Sequence, residues 1–402
     1  MTRVTTTRRS VLLGSLATAG SLAARSRAAY AQQQGPGVTD TEIKLGAWMP
    51  LSGPIALYGV PQRAGIDAYF QMVNAAGGIK GRKITYLVED NAFHPEATVS
   101  AARKLISVDQ VLAIVHPNGT ANSAAAFPYV LDQENVPIIN AYGGDKSWYF
   151  PPRPNLYGAQ VLFENDARTV GRWAAKDGHR KLIVVHSAFG QFTNIAVNFA
   201  PGVHSVAADA SVELYPVKFG TSDYAPIALE LASKRPDAIY AVLTIQELAQ
   251  MAKQLQQQGF KTALYSYAPS VANSLIELGG AAVEGLKATS WTVPPTLATQ
   301  EVTQYRSALN KYAPSEKPDY ISLFSFAMAK IFVELAKRIE GPLNRESLVA
   351  AVETMKSYDT GLVPPVSYGP ERHLGITELR RLQIKDGKWG VAESTVDTDK
   401  DW

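Results

Sequence analysis

From Glu42 onward the chain alternates short runs of apolar and β-branched residues with longer stretches whose apolar positions recur every three or four residues. That alternation predicts an α/β protein with parallel sheets. A strand covered on both faces reads as a continuous apolar run, whereas the helix covering it shows a single apolar stripe. Ile43 to Met49 is such a run. Pro61 is read as opening a helix that carries Ile66, Tyr69, Phe70 and Val73 on one side, and Gly77-Gly78 ends it, since glycine takes the left-handed cap conformation without steric cost. The pattern repeats as strand 83–89, helix 95–108, strand 111–115, helix 120–134 and strand 137–140, giving four strands in one open sheet. After a loop rich in proline and aromatics, Trp148 to Pro154, a second series follows: helix 163–177, strand 181–186, helix 190–208, strand 211–217, helix 222–234, strand 237–243 and helix 246–258. Helices near 298–313, 318–340 and 344–356 come next, then a hairpin whose Asp386-Gly387 pair suits a type I′ turn.

The first 31 residues depart from this pattern. Arg8-Arg9 precedes an apolar stretch that runs to Ala24, and Ala29-Tyr30-Ala31 supplies small residues at the −3 and −1 positions of a cleavage site. This is the layout of a twin-arginine export signal, cut near Ala31. The apolar stretch is shorter than the roughly 20 residues a membrane span needs. The remainder, about 370 residues, exceeds what a single core usually supports, so two domains are expected. Cleavage would remove five arginines and no acid, reducing the 39 basic residues to 34 against 36 acidic ones. The expected mature chain is near neutral, which gives no support for a nucleic-acid partner. There is no cysteine, which excludes disulfides, thiolate metal sites and a lipid-modified N-terminal cysteine. The six histidines (94, 116, 179, 186, 204 and 373) are scattered without ligand spacing, and no metal or cofactor is expected.

Open parallel sheets bind ligands at the carboxyl ends of their strands, where the next helices point unpaired N–H groups outward. The loops to inspect are Pro50–Val60, His116–Asn122 and Ala141–Lys146 in the first series, and Ser187–Gln191, Thr244–Gln246 and Tyr267–Ser270 in the second. Asn118-Gly119-Thr120 joins a glycine that admits close backbone approach to a hydroxyl that can cap a helix or bind an anion. Gly143-Gly144 offers similar access one strand further on. Together they outline a carboxylate cradle, although either alone reads as an ordinary turn. Aromatics crowd the same loops: Trp48, Tyr58, Tyr142, Phe189, Phe192 and Tyr267. Trp48 and Phe192 read equally well as core, while Tyr58 and Tyr142 are placed in loops.

Several segments in order resemble the periplasmic branched-chain amino acid (leucine, isoleucine, valine) binding proteins of ABC transporters. They are Thr41-Glu42-Ile43-Lys44-Leu45-Gly46, Pro50-Leu51-Ser52-Gly53-Pro54, Tyr58-Gly59, Gly65 and Asn74-Ala75-Ala76-Gly77-Gly78-Ile79-Lys80-Gly81-Arg82, then Glu89-Asp90, Pro95, Gly259-Phe260-Lys261-Thr262 and Glu284-Gly285-Leu286. The resemblance implies a type I periplasmic-binding fold, with two Rossmann-like lobes joined by a three-strand hinge. It places lobe 1 at 37–159 plus 292–363 and lobe 2 at 160–291 plus 364–402, with crossovers near 158–161, 288–293 and 362–367. It further implies a periplasmic binder, expected as a monomer, which presents a small-molecule ligand to the permease subunits of an ABC importer without inserting into the membrane. The family's ligand residues fall on Tyr58, Gly119, Thr120, Gly143 and Gly144 in lobe 1, and on Phe189 or Gln191, Thr244 and Ala268 in lobe 2.

The departures from the family pattern bear on the ligand. In the family's amino acid binders an acidic side chain pairs the α-ammonium, yet Ser266-Tyr267-Ala268-Pro269-Ser270 holds no carboxylate, and Thr244 stands where a tyrosine is usual. Phe93 and Asn118 hold the positions of the family's cysteine pair. Glu247 could substitute as ammonium partner but is expected on an exposed first helical turn, where acids are favoured anyway. An unpaired ammonium in a closed cleft costs several kcal/mol, so an organic acid with an apolar or aromatic body is expected, ahead of an amino acid or amide. A Tat-exported enzyme is the rival from another class. Against it, no G-x-S-x-G elbow, Walker loop or metal cluster occurs, and His186 stands without a nucleophile. A periplasmic sensor is a further alternative, disfavoured because no output domain is read after the hairpin.

Overall fold

The computed structural model describes residues 34–398, so the export signal expected at 1–31 lies outside the described residues. The described chain builds two sheets. The first contains β1 (Glu42–Met49), β2 (Lys83–Asp90), β3 (Ala113–Val115), β4 (Ile138–Ala141) and β5 (Leu156–Gly158), all parallel, in the order β2-β1-β3-β4-β5. The second contains β6 (Lys181–Ser187), β7 (Ser211–Val217), β8 (Ala238–Val242), β9 (Ala263–Ser266), β10 (Lys287–Ser290), β11 (Glu378–Lys385) and β12 (Lys388–Asp397), in the order β12-β11-β10-β9-β8-β6-β7. Here β7, β6, β8, β9 and β10 run parallel, and the β11–β12 hairpin is added antiparallel to β10.

Twelve α-helices connect the strands among the described residues: α1 (Ala56–Ala75), α2 (Pro95–Arg103), α3 (Thr120–Phe127), α4 (Phe163–Lys176), α5 (Gly190–Val197), α6 (Phe199–His204), α7 (Ala225–Lys234), α8 (Ile245–Gln257), α9 (Asn273–Gly279), α10 (Gln300–Tyr312), α11 (Tyr320–Arg338) and α12 (Arg345–Glu353). The strand order reverses at β1 in the first sheet and at β6 in the second. Crevices at such reversals, beyond the carboxyl ends of the strands, are where open α/β sheets hold ligands.

The chain passes between the sheets three times: from β5 to α4, from β10 to α10, and from α12 to β11. The passing segments bond to one another. Gly158 N donates to His373 O at 2.9 Å, Gly375 N to Gly158 O at 2.8 Å, and Val293 N to Leu362 O at 2.9 Å. α10 and α11 pack on α1, returning the third segment to the first lobe.

Several expectations are revised. The first sheet has five strands rather than four, because Leu156–Gly158, short and adjacent to a crossover, pairs with β4. The first helix begins at Ala56, so Pro61 lies in its second turn and Tyr58 sits on helix rather than loop. Proline costs that helix one backbone bond, which packing on α10 and α11 offsets. The single helix expected over 190–208 is two, broken at Asn198. The hairpin turn is as expected: Asp386 and Gly387 have φ of 53° and 66°, and the Glu284 carboxylate accepts both of their N–H groups.

α1 and α11 approach closely at Gly65, where an added Cβ would stand 2.0 Å from Ser322 O. The neighbour is backbone and cannot swing aside. Gly65→Ala should therefore lower stability by about 1–3 kcal/mol. Gly190→Ala, with open space around it, should change stability by less than about 0.5 kcal/mol. Chemical denaturation of both variants checks the pair.

Candidate ligand-binding cleft

The loops leaving β3 and β4 are stitched together before they reach the cleft. Asn118 N donates to Trp48 O (3.0 Å), Gly119 N to Tyr142 O (3.2 Å) and Tyr142 N to Pro117 O (2.9 Å). Gly119 sits at the N-cap of α3 with φ 105°, a conformation that favours glycine, and it provides no side-chain cap. α3 therefore starts with its first N–H groups uncapped by its own sequence. The Asn118 carboxamide is aimed by a relay, donating to Gln62 Oε1 (2.6 Å), while Gln62 Nε2 donates to His116 O (2.7 Å).

In the second lobe α8 begins differently. Thr244 and Glu247 form a reciprocal capping box, with Glu247 N donating to Thr244 Oγ1 (3.3 Å) and Thr244 N donating to the Glu247 carboxylate (3.0 Å). That carboxylate also accepts from Ser187 Oγ (3.0 Å) and Gly220 N (2.9 Å). Glu247 is thus buried, at 4% exposure, contrary to the exposed turn expected of it. The end of β6 and the loop at Gly220 cover it, and its oxygens are committed to these donors.

A cavity lies between the lobes, with about 510 Å³ of empty space when its open mouth is included. Ile55, Tyr58, Phe93, Asn118, Gly119, Thr120 and Tyr142 line it from lobe 1, and Phe163, Gln191, Phe192, Ile195, Thr244, Tyr267 and Pro269 from lobe 2. None of these residues carries a charge. The lobes touch through two hydrogen bonds at this cavity: Ile245 N donates to Tyr58 Oη (3.0 Å) and Ala121 N to Gln191 Oε1 (3.1 Å). Burial pushes the phenols of Tyr58, Tyr142 and Tyr267 well above their ordinary range, so all three stay protonated.

Eight of the residues proposed from sequence meet here: Tyr58, Asn118, Gly119, Thr120, Tyr142, Gln191, Thr244 and Tyr267. Five lie elsewhere. Trp48 is fully buried in the lobe 1 core and donates its Nε1–H to Ser123 Oγ (2.9 Å). The space beside Gly143 is filled by the Trp148 ring and that beside Gly144 by the Gln160 carboxamide, so these glycines admit neighbouring side chains of their own chain. Phe189 packs against Phe192 and Phe219. Ala268 turns its N–H to Asp166 Oδ2 (3.0 Å) and borders a separate hinge cavity beside Trp291. His186 is buried with Nδ1 against Ser187 O and does not line the cleft. Sequence reasoning did not single out Ile55, Phe163, Ile195 or Pro269, and had treated Phe93 only as a cysteine replacement. Phe163 comes from the segment just after the first crossover, which strand-to-helix loops alone do not indicate.

The periplasmic binding protein family model matches residues 42–388, and the chain belongs to that family. Leu/Ile/Val-binding protein homolog 7 of Brucella abortus (strain 2308) is 25% identical over 332 residues, spanning 77% of this chain and 81% of the relative. The fold is also that of a fatty acid ABC transporter substrate-binding protein from Thermomonospora curvata, with a TM-score of 0.80 at 21% identity over 92% of this chain and 96% of that one. A solute binding protein of an ABC transporter from Rhodopseudomonas palustris BisB5, in complex with 3,4-dihydroxybenzoic acid, matches with a TM-score of 0.77 at 20% identity over 89% and 98% of the two chains. As a member of that family the chain is a binding protein and not an enzyme. Among the described residues no helix is long and apolar enough to cross a membrane.

His116 stacks beneath Tyr142, with ring centroids 5.5 Å apart, and bonds Asn140 O and Ser325 Oγ. Burial lowers its pKa from 6.5 to about 4, the Asn140 carbonyl opposing the shift. Between those values the unfolded chain binds a proton that the folded chain refuses, so stability from this group is present above pH 6.5 and is lost as pH falls toward 4. Asn tolerates the positive φ of 55° at this position. The stability advantage of the unsubstituted protein over His116→Asn should accordingly shrink by about 2 kcal/mol between pH 7 and pH 5, measured by denaturant titration.

Proposed function

We propose that this protein is the periplasmic substrate-binding component of an ABC importer, and that its solute is a small organic acid with an apolar or aromatic body. The observation that carries this reading is the lining itself: a helix start with no cap from its own N-cap residue, three phenols and aromatic walls, with no charged side chain. A carboxylate there takes backbone N–H groups at the start of α3, where an anion gains roughly 0.3–1 kcal/mol, or up to about 2 when partly buried. An ammonium finds no counter-charge, since the nearby acid, Glu247, is already held by its own lobe.

On this reading the chain is exported by its twin-arginine leader and cut near Ala31. Residues 37–159 with 292–363 move as one lobe and 160–291 with 364–402 as the other, closing over the solute by a hinge motion before docking on the permease. The fatty acid and dihydroxybenzoic acid in the names of two fold relatives are ligands of this chemical kind. The second reading, an amino acid binder, is favoured by the Leu/Ile/Val names of the curated relatives.

Thermal shift with benzoate, 4-methylpentanoate, leucine and valine separates the two. A binder at a hundred times its Kd stabilises by about 2.7 kcal/mol, a shift of several degrees. The organic acids should raise Tm and the amino acids should not; stabilisation by leucine or valine alone contradicts the acid assignment.

A further inference from the structure

Two helix starts face each other across the cleft, and each is satisfied by a side chain of the opposite lobe. Tyr58 of lobe 1 accepts from Ile245 at the start of α8, and Gln191 of lobe 2 accepts from Ala121 in the first turn of α3. The two ends are not equivalent. α8 has its own capping box, so Tyr58 adds to an end already satisfied, whereas α3 has no side-chain cap and relies on Gln191. Gln191 itself lines the cavity and stands on α5 beside Phe192 and Ile195. Asn122, in the same turn as Ala121, is fully buried, and neither its carboxamide oxygen nor its nitrogen has a partner. Its amide lies 2.9 Å from where a Cβ on Gly119 would be, directly behind the cleft wall.

Resting on the reading that the solute is an acid held at α3, we propose that Gln191 is an internal stand-in for the solute's carboxylate. Its carboxamide oxygen holds the Ala121 N–H where the two lobes meet and gives way when an acid enters. The exchange has a definite direction. A carboxylate oxygen makes a charge-assisted bond to an N–H, roughly twice as strong as the neutral bond it replaces, and it meets the positive end of α3. A neutral oxygen offers nothing that Gln191 does not already supply. The arrangement in which Gln191 holds Ala121 then competes with binding, and apparent affinity is reduced in proportion to how far that arrangement is populated. Gln191 is in this sense a specificity-setting residue, raising the threshold an entering group must pass.

Hydrogen exchange over residues 118–125 and calorimetric titration with benzoate and 4-methylpentanoate test the proposal on the mature protein. Without solute, Gln191→Ala should speed exchange at Ala121 and leave Ile245 protected by Tyr58, whereas Gln191→Glu should slow exchange at Ala121. Removing one neutral hydrogen bond from the competing state should tighten acid binding to Gln191→Ala about two- to tenfold. Gln191→Glu, carrying its own anion, should weaken it. Unchanged exchange at Ala121 in Gln191→Ala overturns the stand-in role, and so does weaker acid binding by that variant, which would make Gln191 a grip on the solute. Failure of both acids to bind any form refutes the acid assignment of the cleft, while the exchange measurement still decides whether Gln191 holds Ala121.

Discussion

The constraint on which this structure turns is that the start of an α-helix leaves backbone N–H groups that must find acceptors. Two such starts, α3 and α8, meet in the cleft. Burying them without partners would cost about as much as losing the corresponding hydrogen bonds. The protein satisfies one locally, through Thr244 and Glu247, and leaves the other to be satisfied from across the gap. That asymmetry makes the cleft receptive to an acceptor on one side and indifferent on the other.

The surrounding fold exists to hold this arrangement in place. Strand order reverses at β1 and at β6, so each sheet opens a crevice beyond its strand ends. Backbone bonds between the loops after β3 and β4 fix the lobe 1 wall. Asp166, buried and with its pKa raised to about 6 by desolvation, ties the Tyr267–Pro269 loop through Ala268 N and so fixes the lobe 2 wall. Between the lobes, Asn273 N at the start of α9 donates to Asp319 Oδ2 at 2.6 Å, and that carboxylate also caps α11 at Ile321. Rings from both lobes fill the space between, with Tyr142, Trp291 and Phe324 packed in contact. A solute in the cleft therefore meets rigid aromatic surfaces and a small number of donors in fixed directions.

Much of this was legible in the sequence because the signals are local. Apolar runs and helical stripes located most of the strands and helices, and Asp386-Gly387 specified its turn through the positive φ both residues adopt. The family resemblance supplied the two-lobed architecture. The cleft was legible only in part, because the same composition serves two purposes. Trp48 and Tyr58 both sit near strand-to-helix junctions, yet one ring turns into the core and the other into the cleft. Gly143 and Gly144 look like Gly119, but their missing side chains make room for Trp148 and Gln160. Glu247 reads as an exposed helix-start acid until tertiary contacts with Ser187 and Gly220 bury it. Phe163 and Ile195 reach the cavity through the way the second lobe packs, which no spacing in the chain encodes.

On the proposed reading, the cleft neutralises an anion with backbone donors and has nothing to neutralise a buried amine. Closed clefts retain solute through purification when dissociation is slow, so mass spectrometry of the small molecules released on denaturing freshly purified protein addresses the claim directly. The account predicts an organic acid without a basic nitrogen, bound in one-to-one ratio. An amino acid or other amine released in that ratio would contradict it.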